Sequence, residues 1–191
     1  MANRVTSDLA AFLVRHAPAL IDATAWYSDR LPLRITCYLA SEQPPLDAIS
    51  SARCLVIRGD SVLAQQDVTT THILPGGRRE RGEAPEETLR REIGEETGWT
   101  IVDPLPLGFM LFEPLRAAPH GESWPRAPFA QVVYAARAGV FTPEARLDDG
   151  FELSSTFYPV AELRAWALTP RERLFLDAAL NVLGGGRMRM P

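Results

Sequence analysis

The 191-residue chain contains no lysine, since all 20 of its basic residues are arginine. That absence excludes Schiff-base chemistry and any phosphate-gripping lysine of the Walker type. The bias itself reads as compositional. Cysteine is also scarce: Cys37 and Cys54 are the only two. They lie far apart in apolar, strand-like surroundings. They cannot make a four-ligand zinc site or a Cys-x-x-Cys motif, and they read as reduced, buried thiols. No apolar run reaches the roughly 18 residues of a membrane span. The N-terminus carries Asp8, Arg15, His16 and Asp22 and lacks the clean apolar stretch of a secretory signal. The expected location is therefore a reducing cytoplasm. Positive charge is short as well, with 24 Asp and Glu against 20 Arg and a net charge of −4. Nucleic-acid polymers call for a concentrated positive field, so they are not expected partners. What remains is ordinary for one globular domain, with 46% hydrophobic and 23% charged residues. Such a chain can build a core without staples.

Val5, Leu9, Phe12, Leu13, Ala17, Leu20 and Ile21 recur at helical spacing and predict an amphipathic helix over residues 6–26, broken or kinked at Pro18. Residues 33–40 read as a strand and 41–51 as a loop. Residues 52–58 and 62–66 flank Gly59-Asp60-Ser61 and read as a hairpin. A strand from Thr70 runs into Leu74-Pro75-Gly76-Gly77. A helix is expected over residues 85–97, with Pro85 at its first position, Glu86 and Glu87 at the positive end of its dipole, and Gly98 as its stop. Strands follow at 105–112, 129–136 and 151–160, with a Pro-rich loop over 114–128. A last helix spans 170–183, before a flexible tail at 184–191. The pattern predicts an α/β fold, a mixed sheet between helices in an α/β/α sandwich. An N-terminal extension of helix plus strand (1–50) precedes the main domain (51–183).

The informative segment runs from Gly77 to Trp99. Glu92, Glu95 and Glu96 sit at i, i+3 and i+4, on one helix face. Three carboxylates on one stripe repel each other, and a hard divalent cation offsets that repulsion directly. Leu89 and Ile93 form the opposite, apolar stripe. A solvated acidic face balanced by arginine is the competing reading of such a cluster. Arg78, Arg79 and Arg81 lie in the adjoining loop, where guanidinium groups suit phosphate, though solvated loop charges look the same in sequence. His72 reads as a packed or exposed strand residue, and His16 and His120 belong to no constellation. Trp26, Trp124, Phe112 and Phe129 are candidates for stacking on a base, or simply core and surface aromatics.

Gly77, Glu83, Arg91-Glu92-Ile93, Glu95-Glu96 and Gly98-Trp99 together form an unbroken match to Gly-x5-Glu-x7-Arg-Glu-apolar-x-Glu-Glu-x-Gly-apolar. On these residues the chain resembles the Nudix hydrolases, of which MutT is one. Leu74-Pro75-Gly76 resembles the family's lead-in, and residues 157–163 resemble a downstream element. The resemblance covers about residues 50–183. It implies a Nudix-type α/β/α sandwich and attack by metal-activated water on a diphosphate linked to another group. It also implies Mg²⁺ or Mn²⁺, held by Glu92, Glu95, Glu96 and the Gly77 carbonyl with Glu83 close by, and Arg91 holding the loop through a charge-assisted pair. The phosphates would be gripped by Arg78, Arg79 and Arg81. For the general base it leaves two candidates: Glu95 on the helix and then Glu152 on a later loop. Thr88 and Ala84 stand where the family often has alanine and a hydroxyl cap. Pro114, fifteen residues after Trp99, resembles the proline of ADP-ribose pyrophosphatases. The N-terminal region resembles the one through which such enzymes dimerise. The expected substrate is a small nucleotide, ADP-ribose-like or a nucleoside triphosphate. A Nudix-fold sensor that binds nucleotide without turnover is the other reading, which the complete set of box carboxylates disfavours.

Overall fold

A computed structural model describes residues 2–26, 31–116, 128–147 and 150–183. His120, Trp124 and the tail at 184–191 lie outside these residues, and the side chain of Trp26 is likewise not described. The N-terminal helix α1 spans Ala2–Leu13 and is followed by strands β1 (Leu20–Trp26) and β2 (Leu31–Leu39). The hairpin β3 (Ile49–Arg58) and β4 (Ser61–Asp67) leads to a short β5 (Thr71–His72) and to helix α2 (Pro85–Thr97). Long strands β6 (Trp99–Pro114) and β7 (Phe129–Phe141) follow, then β8 (Glu152–Pro159), α3 (Val160–Leu163) and α4 (Pro170–Leu183).

The strands form one mixed sheet in the order β1-β2-β6-β7-β3-β4-β5, with β8 paired to β4. Only β3 and β7 run parallel; the other pairs are antiparallel. Each face of the sheet has its own core. On one, Leu9 and Phe12 of α1 and Leu89 and Ile93 of α2 pack with Cys54, Val56, Leu63 and Tyr134. On the other, Phe175, Leu176 and Ala179 of α4 pack with Leu33, Ile35, Leu55 and Val133. The expected α/β/α sandwich is therefore the observed fold.

The helix expected over residues 6–26 ends at Leu13, and its second half is β1. Pro18 stops the helix. The segment beyond it then pairs along its whole length with β2, from Leu20 opposite Cys37 to Trp26 opposite Leu31. The N-terminal strands thus extend the central sheet, and the expected boundary at residue 51 falls inside β3. β6 begins at Trp99, earlier than expected. Its pairing with β7 survives the irregularity at Val102–Leu105, where Asp103 takes a positive φ of 49°.

Helix α2 has the expected limits. Gly98 ends it in the left-handed region at φ 74°, with its N–H on the Gly94 carbonyl. At the other end Ala84 offers no side-chain cap, but its N–H donates to Glu87 Oε2 at 2.7 Å. That contact is half of a capping box.

Candidate active site

The loop before α2 is fastened to β3 like a short extra strand. Cys54 N–H donates to the Pro75 carbonyl (2.9 Å), Ala52 N–H to Gly77 (3.1 Å), and Arg79 N–H to Ser50 (2.9 Å). This close approach is why glycine is needed. A Cβ on Gly76, whose φ is 126°, would overlap the Ala52 carbonyl, and one on Gly77 would overlap the Glu92 carboxylate. The loop backbone and the Glu92 carboxylate are therefore closely packed.

Arg91 organises the acids. Its Nε and Nη2 grip Glu83 at 2.7 and 3.0 Å, while Nη1 reaches Glu92 at 2.8 Å and Glu95 at 3.0 Å. Nη2 also donates to the Arg78 carbonyl at 3.1 Å, tying helix to loop. The forked contact holds the Glu83 carboxyl well below the usual range, at about 2, as charge-assisted pairs do. Thr88 Oγ1 and Glu80 N–H complete the shell of Glu83. Thr88 thus does more than fill space.

Glu96 has a different setting. Burial pushes its carboxyl up to about 7, because a charged group is disfavoured away from water. The Gly76 N–H, which donates to Oε2 at 2.8 Å, and Arg53 pull the other way. Glu152 and Glu92 add negative charge nearby and raise it further. Burial likewise raises Glu92. Two half-buried acids packed on a glycine backbone, with hard oxygen donors and surplus negative charge, suit a hard divalent cation. Among the described residues, no three acidic, histidine or cysteine groups already converge into a cage. Glu92 and Glu96 meet the glycine loop, Glu83, Glu95 and also Glu92 are paired with Arg91, and the Gly77 carbonyl accepts from Ala52.

A cavity of about 570 Å³ opens beside this ridge. Glu96, Glu152, Gly76, Gly77, Arg53 and Arg78 line it, and so do Asp67, His72 and Glu172. Ile35, Met110 and Phe112 form an apolar wall, with Phe129 stacked behind Phe112 at 5.1 Å between ring centres. Thr24 of β1 and Arg171 of α4 close the far side, where Arg171 pairs with Asp22 at 2.8 Å.

Of the three loop arginines, only Arg78 lines the cavity. Arg79 spends its guanidinium on the carbonyls of Ile49, Leu46 and Glu83, and so builds the loop. Arg81 is exposed, outside the lining. Glu152 lines the cavity, while Glu95 does not. Pro114 ends β6 opposite Leu33, also outside the lining.

Sequence reasoning missed Arg53, Gln65 and His72 as cavity residues. Burial holds the Arg53 guanidinium below its usual range, opposed by Glu96 and Glu92, and it donates to the Gly76 carbonyl. A lone arginine inside the apolar run of residues 52–57 was the available signal, and Gln65, the first of two glutamines after the apolar residues 62–64, carried none.

The family model for the Nudix domain matches residues 48–179. The chain belongs to the Nudix family. The Nudix fold is also seen in solved structures of low sequence identity. A variant of the Bacillus subtilis pyrophosphohydrolase BsRppH aligns at 16% identity with TM-score 0.55, covering 87% of this chain and 98% of that one. An ADP compounds hydrolase aligns at 18% identity with TM-score 0.52, covering 91% and 97%. The Nudix domain of Shewanella oneidensis NrtR, complexed with ADP ribose, aligns at 18% identity with TM-score 0.51, covering 70% and 85%. No curated protein matches the chain in sequence. No helix among the described residues of this Nudix protein is long and apolar enough to cross a membrane.

Proposed function

We propose that this Nudix protein is a metal-dependent pyrophosphohydrolase. Its substrate would be a nucleoside diphosphate linked to a second group, of the ADP-ribose kind, cleaved by water attacking a phosphorus. One observation carries the reading: Glu96, bound to the Gly76 N–H, lines a cavity that also has an apolar wall, and Glu92 packs beside it against Gly77. Such a cavity suits an anionic phosphate chain at one end and a flat or apolar moiety at the other. Two proteins of similar fold are an ADP compounds hydrolase and a domain complexed with ADP ribose, which guides the choice of test substrates.

Glu92 and Glu96, with main-chain oxygen from the loop, would hold Mg²⁺ or Mn²⁺. When bound, the cation supplies neutralisation of the phosphate charge and acidifies water. Arg91 keeps Glu83, Glu92 and Glu95 in place. Arg78 and Arg53 present positive charge to the phosphates from the cavity wall. Glu152 is the favoured acceptor of the water's proton, because it lines the cavity and acts on Glu96. Glu95, bound to Arg91, is the second candidate. Phe112 offers a ring face for a base. The outer edge of β1, where Ile21 is 64% exposed, supports a homodimer formed through the N-terminal region, since an uncovered sheet edge invites pairing.

The test is product analysis on ADP-ribose, other nucleoside diphosphate conjugates and nucleoside triphosphates, with Mg²⁺, with Mn²⁺ and with chelator. Metal-dependent release of a nucleoside monophosphate from a conjugate is expected. Tight binding with no product from any of them would favour a sensor instead.

A further inference from the structure

A second cavity, of about 360 Å³, lies over strands β4 and β8. In their antiparallel pairing Ala64 stands opposite Thr156, Gln66 opposite Ser154 and Val62 opposite Tyr158. Side chains of such pairs leave the sheet on one face, which every second residue along a strand shares. Val62 and Ala64 belong to the core that also holds α4, so this cavity opens on the α4 face. Thr71 of β5 and Trp166, just past α3, complete the lining. Ala64 is its buried floor, while Gln66, Thr71, Ser154 and Thr156 are exposed and within reach of a ligand.

No residue of this lining is charged. A phosphate would find no cation there, and a metal ion no carboxylate. Instead four hydroxyls (Thr71, Ser154, Thr156 and Tyr158) and the Gln66 amide supply both donors and acceptors. Ser154 Oγ donates to Gln66 Oε1 at 3.3 Å, and among the described residues these five side chains make no other hydrogen bond to the protein. Beside them Tyr158 and Trp166, both half-buried, meet edge to face with ring centres 4.8 Å apart. Aromatic surface for C–H groups, many neutral hydrogen-bonding groups and no charge together complement a neutral polyhydroxylated ring. A base is better served by the first cavity, with its wall of Ile35, Met110 and Phe112. The two cavities adjoin: Thr71 lines both, and Trp166 is followed by Ala167, which lines the first. We infer that the second cavity binds a neutral sugar, the group carried beyond the second phosphate of the substrate. It would make nucleoside diphosphate sugars the preferred conjugates. The inference rests on the reading above for what the first cavity holds, and the sugar takes no part in the bond that breaks.

The experiment is calorimetric titration of the full chain, with Mg²⁺, by three α,β-methylene analogues in which carbon replaces the bridging oxygen. They are the analogue of ADP-ribose, that of the β-methyl ester of ADP, which keeps the charge but stops where the sugar begins, and that of the β-pentyl ester, which replaces the sugar by bulk alone. The wild type is expected to bind the ribose analogue at least about tenfold more tightly than either ester. Thr156→Val keeps shape and loses a hydroxyl, and Gln66→Leu keeps size and loses the amide. Each is expected to shrink the ratio of ribose to methyl-ester affinity severalfold, and the double variant to bring it close to one. Equal affinities in the wild type, a pentyl ester that gains as much as ribose, no binding of any analogue, or a ratio that survives the double variant overturns the proposal. None of these readouts needs turnover. A wild type that cleaves no substrate, yet shows the ratio and loses it in the variants, would end the hydrolytic reading and leave the sugar site standing.

Discussion

The ridge and the wall of the cavity are built in opposite ways. The acids of the ridge, between Gly76 and Gly98, are held by polar contacts made within that stretch of chain. Arg91 reaches Glu83, Glu92 and Glu95, all near it along the chain, and Glu96 is fixed by Gly76. The wall is assembled from both ends of the chain: Thr24 and Ile35 from the N-terminal strands, Met110 and Phe112 from the middle, Arg171 from the last helix. The ridge is polar and charged, and the wall combines apolar residues from distant parts of the chain. If the proposed function holds, the ridge does the chemistry and the wall selects the substrate, so variants on the two sides should change different kinetic constants.

The largest effect belongs to the ridge. Glu96→Gln removes a charge while keeping shape, and kcat is expected to fall at least about a hundredfold, ~2.7 kcal/mol of barrier, with circular dichroism unchanged. Full turnover in this variant would erase the distinction at its root. Next comes Arg91→Ala, which strands three carboxylates at once. Urea unfolding should show a loss of about 2 kcal/mol, accompanied by a kcat reduced roughly tenfold. On the wall, Asp22→Ala frees Arg171 and loosens the far side. KM for an ADP-ribose-like substrate should rise severalfold while kcat stays within about twofold, at a stability cost of about 0.5–1 kcal/mol. A fall in kcat alone would mean that the wall takes part in the chemistry.

The smallest expected effect is a pH slope. Burial, and then the Arg53 charge, hold the His72 imidazole below its ordinary 6.5, against the opposite pull of Asp67 and Glu172. The folded state disfavours the protonated ring, and the unfolded chain takes up its proton near 6.5. Stability from neutral His72 is therefore complete above that pH and declines as pH falls through it. His72→Gln should flatten the decline of Tm between pH 7 and 5, and an unaltered slope would show that His72 does not contribute.

The same division explains what could be read from the residues alone. Helix α2 was legible to the residue because its signals are local: Pro85 at the start, an apolar stripe through Leu89 and Ile93, and Gly98 at the stop. The acidic ridge was legible for the same reason. β1 was not, since Leu20 and Ile21 fit a helical period by coincidence, and only the distant partner β2 makes a strand of them. Arg53 sits in an apolar run and Gln65 at the end of one, and no local pattern says that either strand meets a cavity. Arg79 shows the limit from the other side. In sequence it is equivalent to Arg78, yet three carbonyls claim its guanidinium. Two of them, on Leu46 and Ile49, lie so far along the chain that they leave no mark in the spacing.

The pair Asp22–Arg171 joins the first strand of the chain to its last helix. During synthesis, Gly98 emerges long before Arg171. At roughly 5–20 residues per second the interval lasts several seconds, through which the nascent protein carries its acids but has no finished vestibule around them. The Arg171 side of the cavity thus arrives only with the final helix, and a chain released before it would lack that side of the wall.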